Sequence, residues 1–266
     1  MATPAPLRVW EKEFLSYRSF WQSNLLGTIV RPLFYLLGMG FGVGGLVENG
    51  DRSDAVFGDV SYFQFLGPAM IVTTAMMILV SASLWPIRGG FEWTGTYKSQ
   101  VTTPITPSEV VMGVGLWHLT YGLISAIGVA LVLAFFDSTR AWGLIPACGV
   151  AALTGAAYAM PITAWSAIAK TDYSFPNILR FVVIPTFLFA GAFYPISVLP
   201  DWLQWFARVS PLWHGIEVAR AIVHHSLGFS SGVSVGAGIA HIGYLVVWVV
   251  VGWYMSFRAF THKLAN

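Results

Sequence analysis

Trp213, His214, Glu217 and Arg220 follow Pro211 at spacings that bring an imidazole, a carboxylate and a guanidinium onto roughly one helical face. His214 and Glu217, three residues apart, could form one pair of metal ligands. Two donors do not complete a zinc site, however, and no third ligand is evident, so no metal is expected. His224 and His225 fit the outer membrane interface better than a metal site. A gate or a structural ion pair is the better reading of Glu217 and Arg220. His118 and His241 fall inside apolar segments, where a lone histidine usually hydrogen-bonds a neighbouring helix.

Other chemistries are missing. Away from their ends the apolar segments contain no Asp or Glu, which removes the carboxylates that ion-coupled carriers use. No ring of charge or filter-like motif marks a channel. The chain has no G-x-x-x-x-G-K-[ST] loop, and Gly-Lys never occurs as a dipeptide. It is therefore not a P-loop ATPase in its own right. No enzyme activity and no cofactor are expected in this chain; energy for uphill transport would come from another chain or from an ion gradient.

The elements around these residues are set by the solvent. Hydrophobic residues make up 56% of the 266 and charged residues 10%, with a mean hydropathy of +0.68. Soluble domains carry about 25% charged residues, so the surface must face lipid. A bilayer-spanning helix needs about 20 apolar residues. Six segments qualify: Leu25–Val47, Tyr62–Trp85, Val110–Phe136, Trp142–Ala169, Ile178–Tyr194 and Val233–Phe257. They are continuous rather than alternating, which excludes a β-barrel. The expected fold is an all-α integral membrane protein with six transmembrane helices. It forms a single domain over 1–266, without nucleic acid as a partner.

Residues 1–24 lack the short apolar core and cleavage site of a signal peptide. Trp10, Phe14, Tyr17 and Trp21 recur at helical spacing, which predicts a helix lying in the interface with its aromatics among lipid headgroups. Ten Lys and Arg residues fall on one side of the six segments: 8, 12, 18, 31, 88, 98, 170, 180, 258 and 263. Four fall on the other: 52, 140, 208 and 220. The positive-inside rule then places both termini in the cytoplasm. Cys148, the only cysteine, reads as a small buried apolar residue.

The loop 86–107 begins with Pro86-Ile87-Arg88-Gly89-Gly90, read as breaking the second span. It continues as a short aromatic amphipathic stretch and closes with Thr103-Pro104-Ile105-Thr106-Pro107. Thr106 is a natural N-cap, Pro107 suits the first helical position and Glu109 completes a capping box. Gly38/Gly42 and Gly40/Gly44 are spaced for close helix packing. Residues 195–232 are too polar to cross and too aromatic for a free loop. They predict two short helices in the outer headgroup region, with Trp202, Leu203, Trp205 and Phe206 reaching lipid.

The run Phe189-Ala190-Gly191-Ala192-Phe193-Tyr194-Pro195, then Leu199-Pro200, then Pro211 to Arg220, resembles the last third of ABC-2 type exporter permeases. The likeness is to permeases for nodulation factors and daunorubicin-type drugs. The Thr-Pro-Ile-Thr-Pro loop and Pro32-Leu33-Phe34-Tyr35-Leu36-Leu37-Gly38 also look like that family's. The resemblance implies a half-transporter in the cell (inner) membrane, with cytoplasmic ABC ATPase subunits and a second permease, identical or paralogous. Its substrates would be amphipathic: drugs, lipids, glycolipids or lipid-linked saccharides. The loop 86–107 would carry the coupling helix that docks on the ATPase, through Arg88, Glu92, Trp93, Tyr97 and Lys98. Residues 195–232 would form an external re-entrant hairpin, with Trp213, His214, Glu217 and Arg220 as its gate. An aromatic groove between the first, second and fifth spans would form the path, lined by Phe34, Tyr35, Met70, Phe187, Phe189 and Phe193. With no charge at mid-depth, such a groove shelters rings and acyl chains better than ions. A membrane enzyme acting on a lipid and a non-transporting assembly factor are the alternatives.

Overall fold

The structure is a computed structural model that describes residues 3–43, 60–230 and 232–265. Within these it is almost wholly helical. α1 (Ala5–Ser19) breaks at Phe20 and is followed by α2 (Trp21–Tyr35), which continues as a π-helical segment, Leu36–Val43. α3 (Tyr62–Glu92), α4 (Thr96–Val101), α5 (Pro107–Ala134) and α6 (Leu144–Ile168) follow. Next come α7 (Phe175–Ile178), a π-turn at Leu179–Val183 and α8 (Ile184–Phe189). α9 (Asp201–Val209), α10 (Pro211–Ser226) and α11 (Val235–Ala265) complete the chain.

Four helices, α3, α5, α6 and α11, are long and apolar enough to cross a bilayer. They match the second, third, fourth and sixth expected spans. The fifth is a shorter, segmented stretch, Phe175–Phe189. Pro185 cannot donate to the helical ladder, and the π-turn lies just before it. The first span is described only to Val43. Its end, Gly44 and the acidic residues of 48–59 lie outside the described residues, as does the Gly40/Gly44 pair.

α6 is the hub, with α3, α5, α10 and α11 packed around it. Its alanine-rich surface, including Ala147, Ala151, Ala156 and Ala159, allows close approach. Two neighbours use glycine to reach it. A Cβ on Gly215 of α10 would stand 2.1 Å from Thr154 Oγ1, and one on Gly252 of α11 would stand 2.4 Å from Pro161 Cδ. The main core runs between α3, α6 and α10, and Cys148 is part of it, buried and unpaired as expected.

α3 does not break at Pro86; it runs two turns further, to Glu92. Ile87 and Phe91, one turn apart, are buried in a second core with Val9, Tyr97, Val110 and Phe260. That burial offsets the hydrogen bond lost at the proline. Gly95 then takes a left-handed φ of 64° and turns the chain into α4. The capping box at Thr106 forms as expected: Thr106 N–H donates to Glu109 Oε2 at 2.8 Å and Pro107 opens α5.

The aromatic face of α1 packs onto α5. Trp10 Nε1 donates to Thr120 Oγ1 at 2.9 Å, and Tyr17 packs on Trp117 and Tyr121 at 5.6 and 5.2 Å. Trp21 alone of that stripe is largely exposed. Both termini, α4 and the ends of α3, α5 and α6 therefore meet at one end of the bundle, here called the basic end.

Candidate functional site

At the basic end the residues of 86–107 separate into two groups. Trp93 is 65% exposed, and Glu92 and Lys98 are exposed beside it. Tyr97 is only 3% exposed. Its ring sits 4.8 Å from Phe91 and 5.2 Å from Phe260, and those two are 4.8 Å apart. Tyr97 therefore supports the platform from beneath. Arg88 is also engaged internally: its guanidinium donates to the carbonyls of Ala169 and Lys170, the latter at 2.9 Å. It closes the end of α6, where carbonyls lack helical partners. Glu92 accepts from Lys263 Nζ at 2.7 Å, tying α3 to the last turn of α11.

Deeper, a cavity of about 190 Å3 lies between α2, α3 and α8, lined by Tyr35, Met70, Thr73, Thr74, Met77 and Phe187 among others. Phe187 and Phe193 meet edge to face at 5.0 Å, and Tyr35 stands 6.0 Å from the first and 6.3 Å from the second. No charged side chain lines this cavity among the described residues. Of the six expected path residues, the structure brings Tyr35, Met70, Phe187 and Phe193 together. Phe34 points away and is 70% exposed, and Phe189 is half-buried outside the cavity. Thr73, Thr74 and Met77 are contributors that the sequence reading missed; their helical spacing from Met70 was the available signal.

Residues 195–232 do form two helices, α9 and α10, joined at Ser210, which caps α10 by accepting from Leu212 N–H at 3.2 Å. α9 leaves Trp202 and Trp205 exposed, whereas α10 packs against α3, α6 and α11. Arg220, 9% exposed, lies over the Phe65 ring at 3.7 Å. It donates to Glu217 Oε1 at 3.2 Å and to the Gly191 carbonyl at 2.9 Å. Gly191 has a φ of 83°, a region closed to most side chains. Arg220 thus pins α10 to α3 and to the bend after α8. His224 is buried and its Nε2 lies 3.2 Å from the Gln64 carbonyl. His214 pairs with His241 of α11, the interhelical hydrogen bond expected of a histidine in a span. Among the described residues no three potential ligands gather into a metal site.

Among the described residues the chain is a helical bundle in which four helices are long and apolar enough to cross a membrane. The family described as ABC-2 type transporter matches residues 7–224, and the chain belongs to that family. Nodulation protein J of Rhizobium meliloti (strain 1021) is 30% identical over 258 residues, covering 97% of this chain and 93% of that one. Nodulation protein J of Rhizobium leguminosarum bv. trifolii is 28% identical over 258 residues, with the same coverage, 97% and 93%. Inner membrane transport permease YadH of Escherichia coli (strain K12) is 22% identical over 248 residues, covering 91% and 89%. The chain is thus a multi-pass ABC-2 permease subunit of an ABC transporter, a family that works with an ABC ATPase.

Proposed function

We propose that this permease is one half of an ATP-driven exporter that moves an amphipathic substrate out of the cytoplasm or inner leaflet. The substrate class is a drug, lipid, glycolipid or lipid-linked saccharide. Partner ATPase subunits bind ATP and Mg, and a second permease, identical or paralogous, completes the conduit. The observation that carries this reading is the cavity of Tyr35, Met70 and Phe187. It offers rings and thioether surface to an apolar group and, among the described residues, no charge to hold an ion.

The basic end is the docking face in this reading. The ten-to-four division of Lys and Arg supports placing it in the cytoplasm of an inner membrane, with α9 and α10 as the external hairpin. Trp93 offers an exposed anchor, and the ring cluster beneath it joins α3, α4 and α11, so a push there is passed to the spans. Among the described residues Gly38 and Gly42 have no neighbour within 4 Å of a Cβ, which supports that face of the first span as a contact with a second permease. Co-expression with the ATPase of the same operon tests the proposal. Copurification and ATP-dependent efflux of an amphipathic probe, both weakened by Trp93→Ala, are the expected results. A permease that moves its substrate without any ATPase would overturn it.

A further inference from the structure

A larger cavity, about 900 Å3, lies at the basic end between α1, the start of α2, α3 and α5. That volume is within the roughly 300–1,000 Å3 of small-molecule sites. Its floor is one face of α3: residues 77–78, 81–82, 85–86, 89–90 and 93 line it at helical spacing. Met77 and Ile78 also line the smaller cavity beside Tyr35 and Phe187. The two cavities therefore share a wall on α3.

The walls state what fits. Lys12 and Glu13 stand at the mouth, and Lys12 Nζ donates to Glu13 Oε1 at 2.8 Å, so their charges cancel. No other Asp, Glu, Lys or Arg lines the cavity among the described residues. Further in, the rings of Tyr17, Trp117 and Tyr121 alternate with Ser16 and Ser81. His118, 1% exposed, belongs to the wall; its Nε2 lies 3.3 Å from Ser83 Oγ, while Nδ1 has no protein partner among the described residues. A buried polar atom left without a partner is costly. An anionic headgroup would find no unpaired cation here among the described residues.

We infer that this cavity is a lateral portal that admits a neutral or zwitterionic amphiphile from the adjoining leaflet. The polar head rests near Lys12, Glu13 and Trp93, and the tail runs past Ser81 and Met77 toward Phe187. This rests on the exporter reading above and names the route to its cavity.

The test uses the purified full-length permease in phosphatidylcholine bilayers doped with photoactivatable phosphatidylcholine. One probe carries its diazirine at the acyl terminus, the other beside the headgroup, and adducts are mapped by peptide mass spectrometry. The terminal probe should label Met77 to Trp85 several-fold more than the exposed Val247 and Val250 of α11, and the head-proximal probe should shift to Trp93 and Lys12. Ser81→Trp, which fills an open part of the cavity, should reduce α3 labelling about tenfold, a loss of about 1.4 kcal/mol, with α11 unchanged. Equal labelling of α3 and α11, or identical positions for both probes, would overturn the inference. So would adducts confined to Trp93 and Thr96, the pattern of a surface covered by a protein helix. The two-probe comparison needs no variant and no ATPase, so its failure is separate from failure of the copurification and efflux tests.

Discussion

The imidazoles of His214 and His241 meet nitrogen to nitrogen, Nδ1 to Nδ1 at 2.7 Å. His214 Nε2 lies 2.8 Å from the Arg208 carbonyl, which can only accept. That nitrogen therefore carries the proton, His214 Nδ1 accepts and His241 Nδ1–H donates. Tyr244 stacks on His214 at 4.0 Å, and Trp213 packs edge-on against both imidazoles. Of the charged groups around the pair, Glu217 is bound to Arg220, and the Arg208 side chain reaches Gln204. The pair joins α10 to α11, and in this neutral tautomer His214 Nδ1 carries no proton.

This linkage makes the protein acid-sensitive. His214 lies in α10, outside the six apolar segments, and desolvation holds its imidazole below the ordinary value. The unfolded chain takes up that proton first, so the contribution is whole above about pH 6.5 and is lost as pH falls through the depressed value. Thermal unfolding should show a loss of roughly 0.5–1.5 kcal/mol between neutral and acid pH. His241→Phe removes the opposing N–H and should flatten that dependence. An unchanged slope in the variant would contradict the tautomer assignment.

Arg220 should resist even conservative replacement. Its fork serves the Gly191 carbonyl and Glu217 at once while its face covers Phe65. Lysine keeps the charge but not the fork or the stacking. Arg220→Lys is expected to cost about 1.5–3 kcal/mol, the range of hydrogen bonds to charged groups. Thermal unfolding in detergent measures it.

The close approaches to α6 predict a graded glycine series. Gly215→Ala and Gly252→Ala drive a methyl against Thr154 and Pro161. Each should cost about 1–3 kcal/mol, as overpacking does. Gly38→Ala meets nothing within 4 Å and should leave the chain's own stability unchanged. If Gly38→Ala nevertheless lowers copurification of differently tagged copies, that face contacts a second permease.

Local signals were legible in the sequence and long-range ones were not. Thr106 and Glu109 could be read because a capping box lies within four residues. Pro86 was misread because Ile87 and Phe91 are held by Val9 and Phe260, distant partners that no window contains. The sequence leaves Arg220 as a gate or a structural residue, because its seat on Phe65 lies 155 residues away. Tyr35 and Phe34 are adjacent aromatics, and only the packing of α2 decides which faces the cavity. The helix breaks into π geometry at Leu36, so periodicity could not carry the phase through.

Within the platform, Trp93 and Tyr97 should separate docking from folding. Trp93→Ala removes an exposed ring and should weaken ATPase copurification while thermal stability stays within about 0.5 kcal/mol, as for surface changes. Tyr97→Ala empties a fully enclosed ring site and should cost about 3–5 kcal/mol. Equal loss of stability in both variants would remove the distinction.

The last prediction concerns the aromatic cavity. Phe187 meets both Tyr35 and Phe193 edge to face, and Tyr35 and Phe187 line the cavity, so removing either ring both widens the space and takes away a surface on which a substrate can stack. Tyr35→Ala and Phe187→Ala should each lower efflux of an amphipathic substrate about tenfold, corresponding to roughly 1.4 kcal/mol of lost interaction. Copurification with the ATPase should persist, because neither residue reaches the basic end. Phe34→Ala is the matched control: one residue away on α2, exposed and outside the cavity, it should leave efflux near the wild-type level. A loss in Phe34→Ala equal to that in Tyr35→Ala would mean that the substrate follows the outer face of α2, and the cavity would then be packing rather than path.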